Sequence, residues 1–395
     1  MDSFEYSPPP LALYVHLPWC VRKCPYCDFN SHPGGRESRP FDAYVERLQL
    51  DLDAELREPA ARRPIGSIFI GGGTPSLFPG PAIRRLLDGI RARVELIPDA
   101  EITLEANPGT IDAAHFAAYR EAGINRLSIG VQSLSTEQLE RLGRIHTPEE
   151  AREAVRIARA LGFDNLNLDL MFGLPGQTLD GARADLDALI ALEPEHVSYY
   201  QLTVEPGTAF GARPPELPDG DLVADMGAEG AARLESAGYG RYEVSAYARR
   251  GRQCRHNLNY WRFGDYLGIG AGAHGKLSAQ RAPTESTMPW RVWRTEKPVH
   301  PNLYLNADPS QPLGVRRDLS EADLILEFVL NALRLTDGFE PDLFTATTGL
   351  PWSRIAARLQ AAADDRLLSL DPDRVAPTPL GRDFLDDLVA RFLAV

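Results

Sequence analysis

Three cysteines lie within eight residues of one another near the start of the chain: Cys20, Cys24 and Cys27. Thiolates are the ligands of iron–sulfur clusters, and three of them leave one iron of a [4Fe–4S] cluster open to another ligand. A structural zinc ion completed by His16 or His32 is the alternative, although zinc sites usually pair their cysteines as C-x2-C knuckles. The spacing C-x3-C-x2-C therefore favours an open iron–sulfur cluster.

A second segment whose residue types could bind a cofactor is Arg-His-Asn-Leu-Asn-Tyr-Trp at 255–261. A histidine beside aromatic rings can be an axial ligand of haem iron with a hydrophobic wall. It can equally be a packed core histidine. The residues alone favour packing, and haem binding by His256, Tyr260 and Trp261 is the alternative hypothesis. The remaining thiol, Cys254, stands directly before this segment and is either a haem ligand or a buried side chain.

Polar residues stand at or near the ends of three successive predicted strands, namely Glu105, Gln132 and Asp169. The carboxyl ends of parallel barrel strands meet at one mouth, so we expect these side chains to share a pocket. Each of them alone can instead cap the adjoining loop or helix. A glycine run, Gly71-Gly72-Gly73, followed by Thr74, ends another predicted strand. Glycine lets the backbone approach a ligand closely, but such a run also makes a tight strand-to-helix turn.

The elements that must position these residues alternate between strand and helix patterns. Apolar runs predict strands at 11–17, 67–70, 102–104, 126–129, 165–170 and 197–202. Helical spacing of apolar residues predicts helices at 41–58, 83–94, 113–121, 148–161 and 179–192. Thr147, Pro148 and Glu150 mark the start of one helix as N-cap, first residue and capping-box partner. About six strand–helix units indicate an α/β protein with a partial (β/α)6, TIM-like barrel.

The domain organisation follows from changes in pattern along the chain. The barrel is predicted to occupy residues 1–245, including a further helix at 219–236 and a strand at 242–245. A loop-rich linking region that carries the 255–261 segment follows at 246–318. Residues 319–395 predict two helices, a hairpin and a terminal helix at 380–393, which is the order of a winged-helix-like α+β domain. Ser320 caps the first of these helices.

Composition limits the class of protein. The formal net charge is −13, which argues against nonspecific binding of nucleic acid or of anionic lipid. Because the winged-helix-like part is itself rich in aspartate, we expect no nucleic acid partner. We find neither a signal peptide nor an apolar run long enough to span a membrane. We therefore expect a cytoplasmic location, where thiolates stay reduced.

The segment LYVHLPWCVRKCPYCDFNSH, with Tyr14 and His16 before the cysteines and Phe29 after them, resembles the radical S-adenosylmethionine signature. Within that superfamily it is similar to the oxygen-independent coproporphyrinogen III oxidase family. The oxidase itself has a fourth cysteine where this chain has Phe29. Phenylalanine there is typical of the haem chaperone, or HemW-like, branch. The resemblance extends from about Leu11 to the C-terminal region and implies a radical SAM barrel.

The resemblance implies that Cys20, Cys24 and Cys27 hold a [4Fe–4S] cluster whose open iron binds S-adenosylmethionine. It places Gly72, Gly73 and Thr74 at the amino group of this cofactor. The other residues implied at the cofactor are Tyr14, Phe29, Glu105 at the ribose, Gln132, Arg144 at the carboxylate, and Asp169. From the residues alone, Arg144 is otherwise a solvated charge and Tyr14 an ordinary core tyrosine. The family also associates the motif HNxxYW, matched by His256, Tyr260 and Trp261, with haem.

These likenesses lead to three functional hypotheses. The favoured one is a haem chaperone, which binds haem as cargo, transfers it to apoproteins and cleaves S-adenosylmethionine without oxidising coproporphyrinogen III. The second is a coproporphyrinogen III oxidase that decarboxylates two propionates, and the third is a radical enzyme with another substrate. Expected partners are haem, haem-receiving apoproteins and an electron donor such as a flavodoxin or ferredoxin. A second copy of the chain, in a homodimer, is a further candidate partner.

Overall fold

The computed structural model describes residues 7–34, 39–281, 290–308 and 311–393. Its strands are β1 (Leu11–Leu17), β2 (Trp19–Cys20), β3 (His32–Pro33), β4 (Ile65–Gly72), β5 (Leu96–Ala106), β6 (Arg126–Gln132), β7 (Leu166–Phe172), β8 (His196–Gln201), β9 (Gly240–Glu243), β10 (Ala246–Ala248), β11 (Asp265–Ile269), β12 (His274–Gln280), β13 (Trp290–Glu296), β14 (Val315–Asp318), β15 (Leu368–Asp371) and β16 (Arg374–Pro377).

The α-helices of the described ranges are α1 (Phe41–Glu55), α2 (Gly80–Arg91), α3 (Ala113–Ala122), α4 (Thr136–Arg141), α5 (Pro148–Ala160), α6 (Leu179–Ile190), α7 (Ala209–Ala212), α8 (Gly220–Ser236), α9 (Arg255–Trp261), α10 (Pro301–Leu305), α11 (Glu321–Ala332), α12 (Pro341–Thr348), α13 (Ala356–Asp364), α14 (Pro379–Asp383) and α15 (Leu385–Ala390). Short 3-10 turns occur at Pro59–Ala61, Pro75–Leu77, Pro108–Thr110 and Trp352–Arg354. None of these helices is long and apolar enough to cross a membrane.

One twelve-stranded sheet forms the body of the molecule, in the order β14-β13-β12-β11-β1-β4-β5-β6-β7-β8-β10-β9. The seven central strands, from β11 to β8, run parallel. The strands outside them pair antiparallel. The six predicted strand–helix units are β1 and β4 to β8 with their helices. The α/β prediction of a partial barrel is therefore confirmed.

Alternation along the barrel strands separates a hydrophobic layer from a polar interior. On β6, Leu127, Ile129 and Val131 join the apolar core under the helices, whereas Arg126, Ser128, Gly130 and Gln132 face a central cavity. Successive side chains of a strand point to opposite faces. The same alternation on β7 and β8 puts polar residues inside the barrel. The outer face of the sheet is therefore buried against helices, and its inner face lines a polar cavity.

Local signals in the sequence explain where several helices begin. At α5, the Thr147 side chain accepts a hydrogen bond from the Glu150 backbone, and the Glu150 carboxylate accepts one from the Thr147 backbone. Ser320 and Asp323 form the same reciprocal capping box at α11. Both predicted N-caps are therefore confirmed. Such caps satisfy backbone N–H groups that a helix start leaves without partners.

The segment 246–318 differs from its predicted loop-rich character. It contributes β10 to β14, and β11 pairs in parallel with β1 as a seventh central strand. Charged residues interrupt the apolar alternation that would predict these strands. Asp265 and Lys276 are buried as an ion pair 2.9 Å apart. Arg63 also contacts Asp265 at 2.6 Å. A buried charge is tolerated when its partners satisfy it, so these strands lack a simple apolar alternation.

The C-terminal part has its own hydrophobic core, in which Phe328, Phe339 and Phe344 pack edge to face. It contains the predicted first helix and the hairpin of β15 and β16. It also contains α12, which the sequence pattern does not reveal. The predicted terminal helix is interrupted at Phe384, where the backbone leaves helical dihedral angles.

Candidate functional site

A cavity of about 310 Å³ lies inside the barrel at the carboxyl ends of its strands. The three cysteines line it together with eight of the nine residues predicted at the cofactor: Phe29, Gly72, Gly73, Thr74, Glu105, Gln132, Arg144 and Asp169. These residues come from separate parts of the sequence, and the parallel strands bring them to one mouth, as expected for a barrel. We call this space the cofactor cavity.

Each cysteine sulfur has a polar side chain as a neighbour. The three contacts are Thr74 Oγ1 at 3.4 Å from Cys20 Sγ, Arg144 Nη1 at 3.6 Å from Cys24 Sγ, and Ser31 Oγ at 3.7 Å from Cys27 Sγ. Hydrogen bonds to sulfur favour the thiolate over the thiol. The same contacts tune the reduction potential of an iron–sulfur cluster. The thiols therefore stand in surroundings suited to a bound cluster.

In the described part of the chain, no three His, Cys, Asp or Glu side chains converge on one metal-ion position. A [4Fe–4S] cluster does not require such convergence, because each thiolate binds a different iron. The spread of Cys20, Cys24 and Cys27 around the cavity fits this arrangement. Burial raises the pKa of the Cys20 thiol, so a metal is needed to hold that sulfur as a thiolate.

The glycine run lies directly against the strand that leads into the cysteine loop. Gly73 N donates to Leu17 O at 2.8 Å, and Thr74 N donates to Trp19 O at 2.8 Å. A Cβ on Gly73 would lie 2.7 Å from that same Trp19 oxygen. Only glycine therefore allows the two backbone segments to approach this closely. The contact fixes the cysteine loop beside the end of β4.

Glu105 is held at the carboxyl end of β5 by the backbone of the glycine run. Gly72 has a φ of 120°, and its N–H donates to Glu105 Oε2 at 3.1 Å. Burial, and next the neighbouring carboxylate of Asp169, raise the pKa of Glu105 to about 8. Burial also raises the pKa of Asp169, whose Oδ1 accepts a hydrogen bond from Asn167 at 2.7 Å. Glu105 can therefore exchange a proton with a ligand near neutral pH.

Gln132 and Arg144 form the opposite wall of the cofactor cavity. Gln132 has a φ of 67°, a strained conformation for a residue other than glycine, and its Oε1 accepts from the Tyr200 hydroxyl at 2.7 Å. Arg144 Nη2 donates to Gly130 O at 3.0 Å. The buried Nε of Arg144 has no hydrogen-bond partner. A guanidinium with a free donor matches a ligand carboxylate.

Tyr14 lies in a second cavity, of about 490 Å³, which shares Phe29, Gly72 and Glu105 with the first. We call this second space the mouth cavity. Its other lining residues are His16, Asn30, Tyr260, Tyr266, Gly272 and His274. The Tyr14 hydroxyl is 3.0 Å from His16 Nδ1, and burial raises the pKa of Tyr14 far above its usual range. Tyr14 is therefore a neutral wall residue next to Glu105.

Helix α9 carries the histidine segment into the barrel interior. His256 Nδ1 is 3.1 Å from Ser67 Oγ, and its Nε2 is 2.8 Å from the Tyr260 hydroxyl. Burial lowers the pKa of His256 to about 3. Trp261 lies outside the mouth cavity, with the Arg334 guanidinium 4.4 Å from its ring centroid. In this conformation Tyr260 is the member of the segment that reaches the mouth.

The floor of the cofactor cavity contains strand residues that the sequence analysis does not single out: Arg126, Ser128, Asn167, His196 and Ser198. Arg126 is almost fully buried and its Nε has no hydrogen-bond partner. His196 bridges Asn167 and Tyr242. Polar residues at every second position of these strands could have predicted this floor, because the side chains of a strand alternate between its two faces.

Comparison with known proteins agrees with this geometry. Residues 14–189 match the radical SAM superfamily, and residues 319–384 match the HemN C-terminal domain. The chain is similar in fold to the structure described as coproporphyrinogen III oxidase (HemN) from Escherichia coli, a radical SAM enzyme. The TM-score is 0.79 with 24% sequence identity, and the match covers 98% of this chain and 90% of the other.

Curated relatives match over nearly the whole length. The chain is 50% identical to heme chaperone HemW of Escherichia coli (strain K12), over 98% of this chain and 99% of the relative. It is 45% identical to heme chaperone HemW of Haemophilus influenzae, over 98% of each chain. A mitochondrial radical S-adenosyl methionine domain-containing protein 1 from Bos taurus is 38% identical over 84% of this chain and 76% of its own. This chain therefore belongs to the HemW family of radical SAM proteins.

Proposed function

We propose that this protein is a haem chaperone, which binds haem and transfers it to apoproteins. The observation that carries the proposal is the 50% identity, over nearly the full length of both chains, to a protein named heme chaperone. Phe29 adds support, because this residue stands where the related oxidases have a fourth cysteine. Its ring is 63% exposed beside the two cavities, where it offers an apolar surface.

The residues around the cofactor cavity fit a [4Fe–4S] cluster and S-adenosylmethionine. Cys20, Cys24 and Cys27 would ligate three irons, and the neighbouring hydroxyl and guanidinium groups would stabilise the thiolate charge. Arg144 would bind the carboxylate of S-adenosylmethionine, for which its Nε is free. Bound next to a reduced cluster, this cofactor supplies one-electron chemistry by cleavage of its sulfonium carbon–sulfur bond.

The remaining predicted residues would position and shield the cofactor. Gly72 and Gly73 bring the backbone close to it, and Thr74 stays with the cysteine loop. Glu105 would bind the ribose hydroxyls, either as carboxylate or as acid. Gln132, Asp169, Tyr14 and Phe29 would complete the walls and exclude water. A site with few water molecules strengthens each polar contact that it makes.

The HNxxYW segment is retained as part of the haem hypothesis. His256 can ligate iron only after it gives up its hydrogen bonds to Ser67 and Tyr260. Tyr260 lines the mouth cavity as it stands. We therefore assign Tyr260 to the wall of the haem site and Trp261 to the support behind it.

We also propose a cytoplasmic location, where the cluster thiolates would stay reduced. An electron donor such as a flavodoxin or ferredoxin would supply the electron for cleavage of S-adenosylmethionine. The cofactor cavity is lined by the charged side chains of Arg126 and Asp169, so this space suits a polar ligand better than a porphyrin ring. Haem would therefore bind outside it.

A two-part experiment tests the function. The anaerobically reconstituted protein is titrated with hemin, and the haem-loaded protein is then mixed with a purified apo-haemoprotein. Stoichiometric hemin binding followed by a Soret shift to that of the acceptor is expected. In parallel, the protein is incubated with reductant, S-adenosylmethionine and coproporphyrinogen III. Formation of protoporphyrinogen would make it an oxidase, and absence of hemin binding would overturn the chaperone proposal.

A further inference from the structure

The mouth cavity has the volume and the aromatic lining of a site for a flat aromatic ligand. It measures about 490 Å³, and rings from four elements surround it: Tyr14 on β1, Phe29 in the cysteine loop, Tyr260 on α9 and Tyr266 on β11. Pockets of this volume with mostly apolar walls commonly hold cofactors. Because Phe29, Gly72 and Glu105 also line the cofactor cavity, a ligand here would lie directly over the cofactor.

One histidine at this mouth has an imidazole that is open to a ligand. His274, the first residue of β12, lines the mouth cavity with 57% of its side chain exposed. Two other histidines near this cavity, His16 and His256, have both ring nitrogens in contacts. His16 contacts the Tyr14 hydroxyl and Asn30 O, and His256 contacts Ser67 and Tyr260.

The sheet gives His274 a carboxylate partner. In the antiparallel pairing of β12 with β13, Glu296 lies directly opposite His274, and Glu296 Oε1 is 3.9 Å from His274 Nδ1. Histidines that ligate metals commonly donate their other ring N–H to a carboxylate, which sets the tautomer and makes the free nitrogen a better ligand. At 3.9 Å the two atoms are close but not hydrogen-bonded, so Glu296 would have to move towards Nδ1 for this role, which would leave Nε2 of His274 for iron.

The loop before His274 is joined to the cysteine loop. Asn30 Nδ2 donates to Ala271 O at 2.9 Å and to Val299 O at 2.9 Å. Asn30 O also accepts from the His16 ring at 2.8 Å. Lys23 donates to Phe29 O at 3.0 Å and is otherwise exposed, so a cation stands next to the mouth. A propionate carboxylate of a porphyrin would pair with it.

From these contacts we infer that haem binds in the mouth cavity, with His274 as an axial ligand of its iron and Glu296 orienting the imidazole. This inference rests on the proposed haem chaperone function. It assigns the axial position to His274 on β12 instead of His256 on helix α9. The rings of Tyr14, Phe29 and Tyr260 form the apolar surroundings, and the haem face lies above the cofactor cavity.

The test compares hemin binding by single variants of the full chain with its cluster reconstituted. His274→Ala is expected to weaken hemin binding about 10- to 100-fold or more and to change the Soret maximum and the EPR ligand-field signature. Glu296→Gln is expected to weaken binding by about tenfold with the axial signature retained. The matched control is His115→Ala, because His115 is a partly exposed histidine next to a carboxylate, Asp112 at 2.8 Å, and lies outside the mouth cavity.

Imidazole rescue separates ligation from a structural effect. Added imidazole is expected to restore the Soret and EPR signature in His274→Ala and to leave the wild type unchanged. Unchanged affinity and spectrum in His274→Ala would overturn the inference while wild-type hemin binding sustains the chaperone proposal. A spectral loss confined to His256→Ala would also overturn it. Absence of hemin binding by the wild type would instead refute the proposed function itself.

Discussion

Glu105 offers a quantitative test of the electrostatics of the cofactor cavity. Burial and the nearby Asp169 carboxylate raise its pKa from 4.5 to about 8. The folded chain therefore holds this proton more tightly than the unfolded chain does. Folding takes up a proton between pH 4.5 and pH 8, so this residue makes the ligand-free protein less stable as pH rises through that window. The substitution Glu105→Gln removes the titration and most of this loss.

The size of the effect follows from the same pKa. A rise from 4.5 to about 8 corresponds to a ceiling of roughly 5 kcal/mol, at 1.36 kcal/mol for each pKa unit. Glu105 lines a cavity that admits water, and the N–H of Gly72 favours its charged form. We therefore expect about 1–3 kcal/mol. For a chain of 395 residues, that corresponds to a change in Tm of about 1–4 °C.

The assay is thermal unfolding of the cluster-free, cofactor-free chain at pH 6, 7, 8 and 9. The Tm of Glu105→Gln minus that of the wild type is expected to increase from pH 6 to pH 9. The control is Glu121→Gln, at a surface carboxylate paired with Arg84, whose difference from wild type should stay flat over this range. Parallel pH profiles for the wild type and Glu105→Gln would show that this carboxyl group has no raised pKa.

Three further substitutions test the cysteine loop and its contacts. Cys24→Ala is expected to abolish the visible absorbance and the iron content of the reconstituted protein. The control variant, Cys254→Ala, is expected to retain both. Equal iron content in the two variants would refute the assignment of the cluster ligands. Gly73→Ala places a Cβ 2.7 Å from a backbone oxygen and should cost about 1–3 kcal/mol in thermal unfolding. Gly220→Ala, which meets no atom within 4 Å, serves as control, and equal Tm values would contradict the close approach. Arg144→Leu removes a donor and a positive charge near a sulfur, so the reduction potential of the cluster should become more negative in an EPR-monitored titration. An unchanged potential would show that this contact does not act on the cluster.

Local patterns in the sequence were sufficient for the parallel core and for the helix starts. Each of the six core strands is a short apolar run, and the reciprocal cap of Thr147 and Glu150 depends on residues three apart. Such features depend only on residues that are close in sequence, so they can be predicted without knowledge of the fold. The strands after residue 246 escaped prediction because their register depends on the buried Asp265–Lys276 pair, which forms only when distant strands meet.

For the site, the sequence determined which residue types are available, and the tertiary structure decided which of them meet. The spacing of Cys20, Cys24 and Cys27 is a property of one short loop, so it predicts a cluster by itself. The approach of Arg144 to Cys24, over 120 positions of sequence, requires the barrel to place α4 and its following loop beside the cysteine loop. The orientation of an imidazole is also a tertiary property, because hydrogen-bond partners set it. His256 belongs to the conspicuous motif but faces Ser67 and Tyr260 inside the barrel, whereas His274, at the start of β12, lines the mouth cavity with more than half of its side chain exposed.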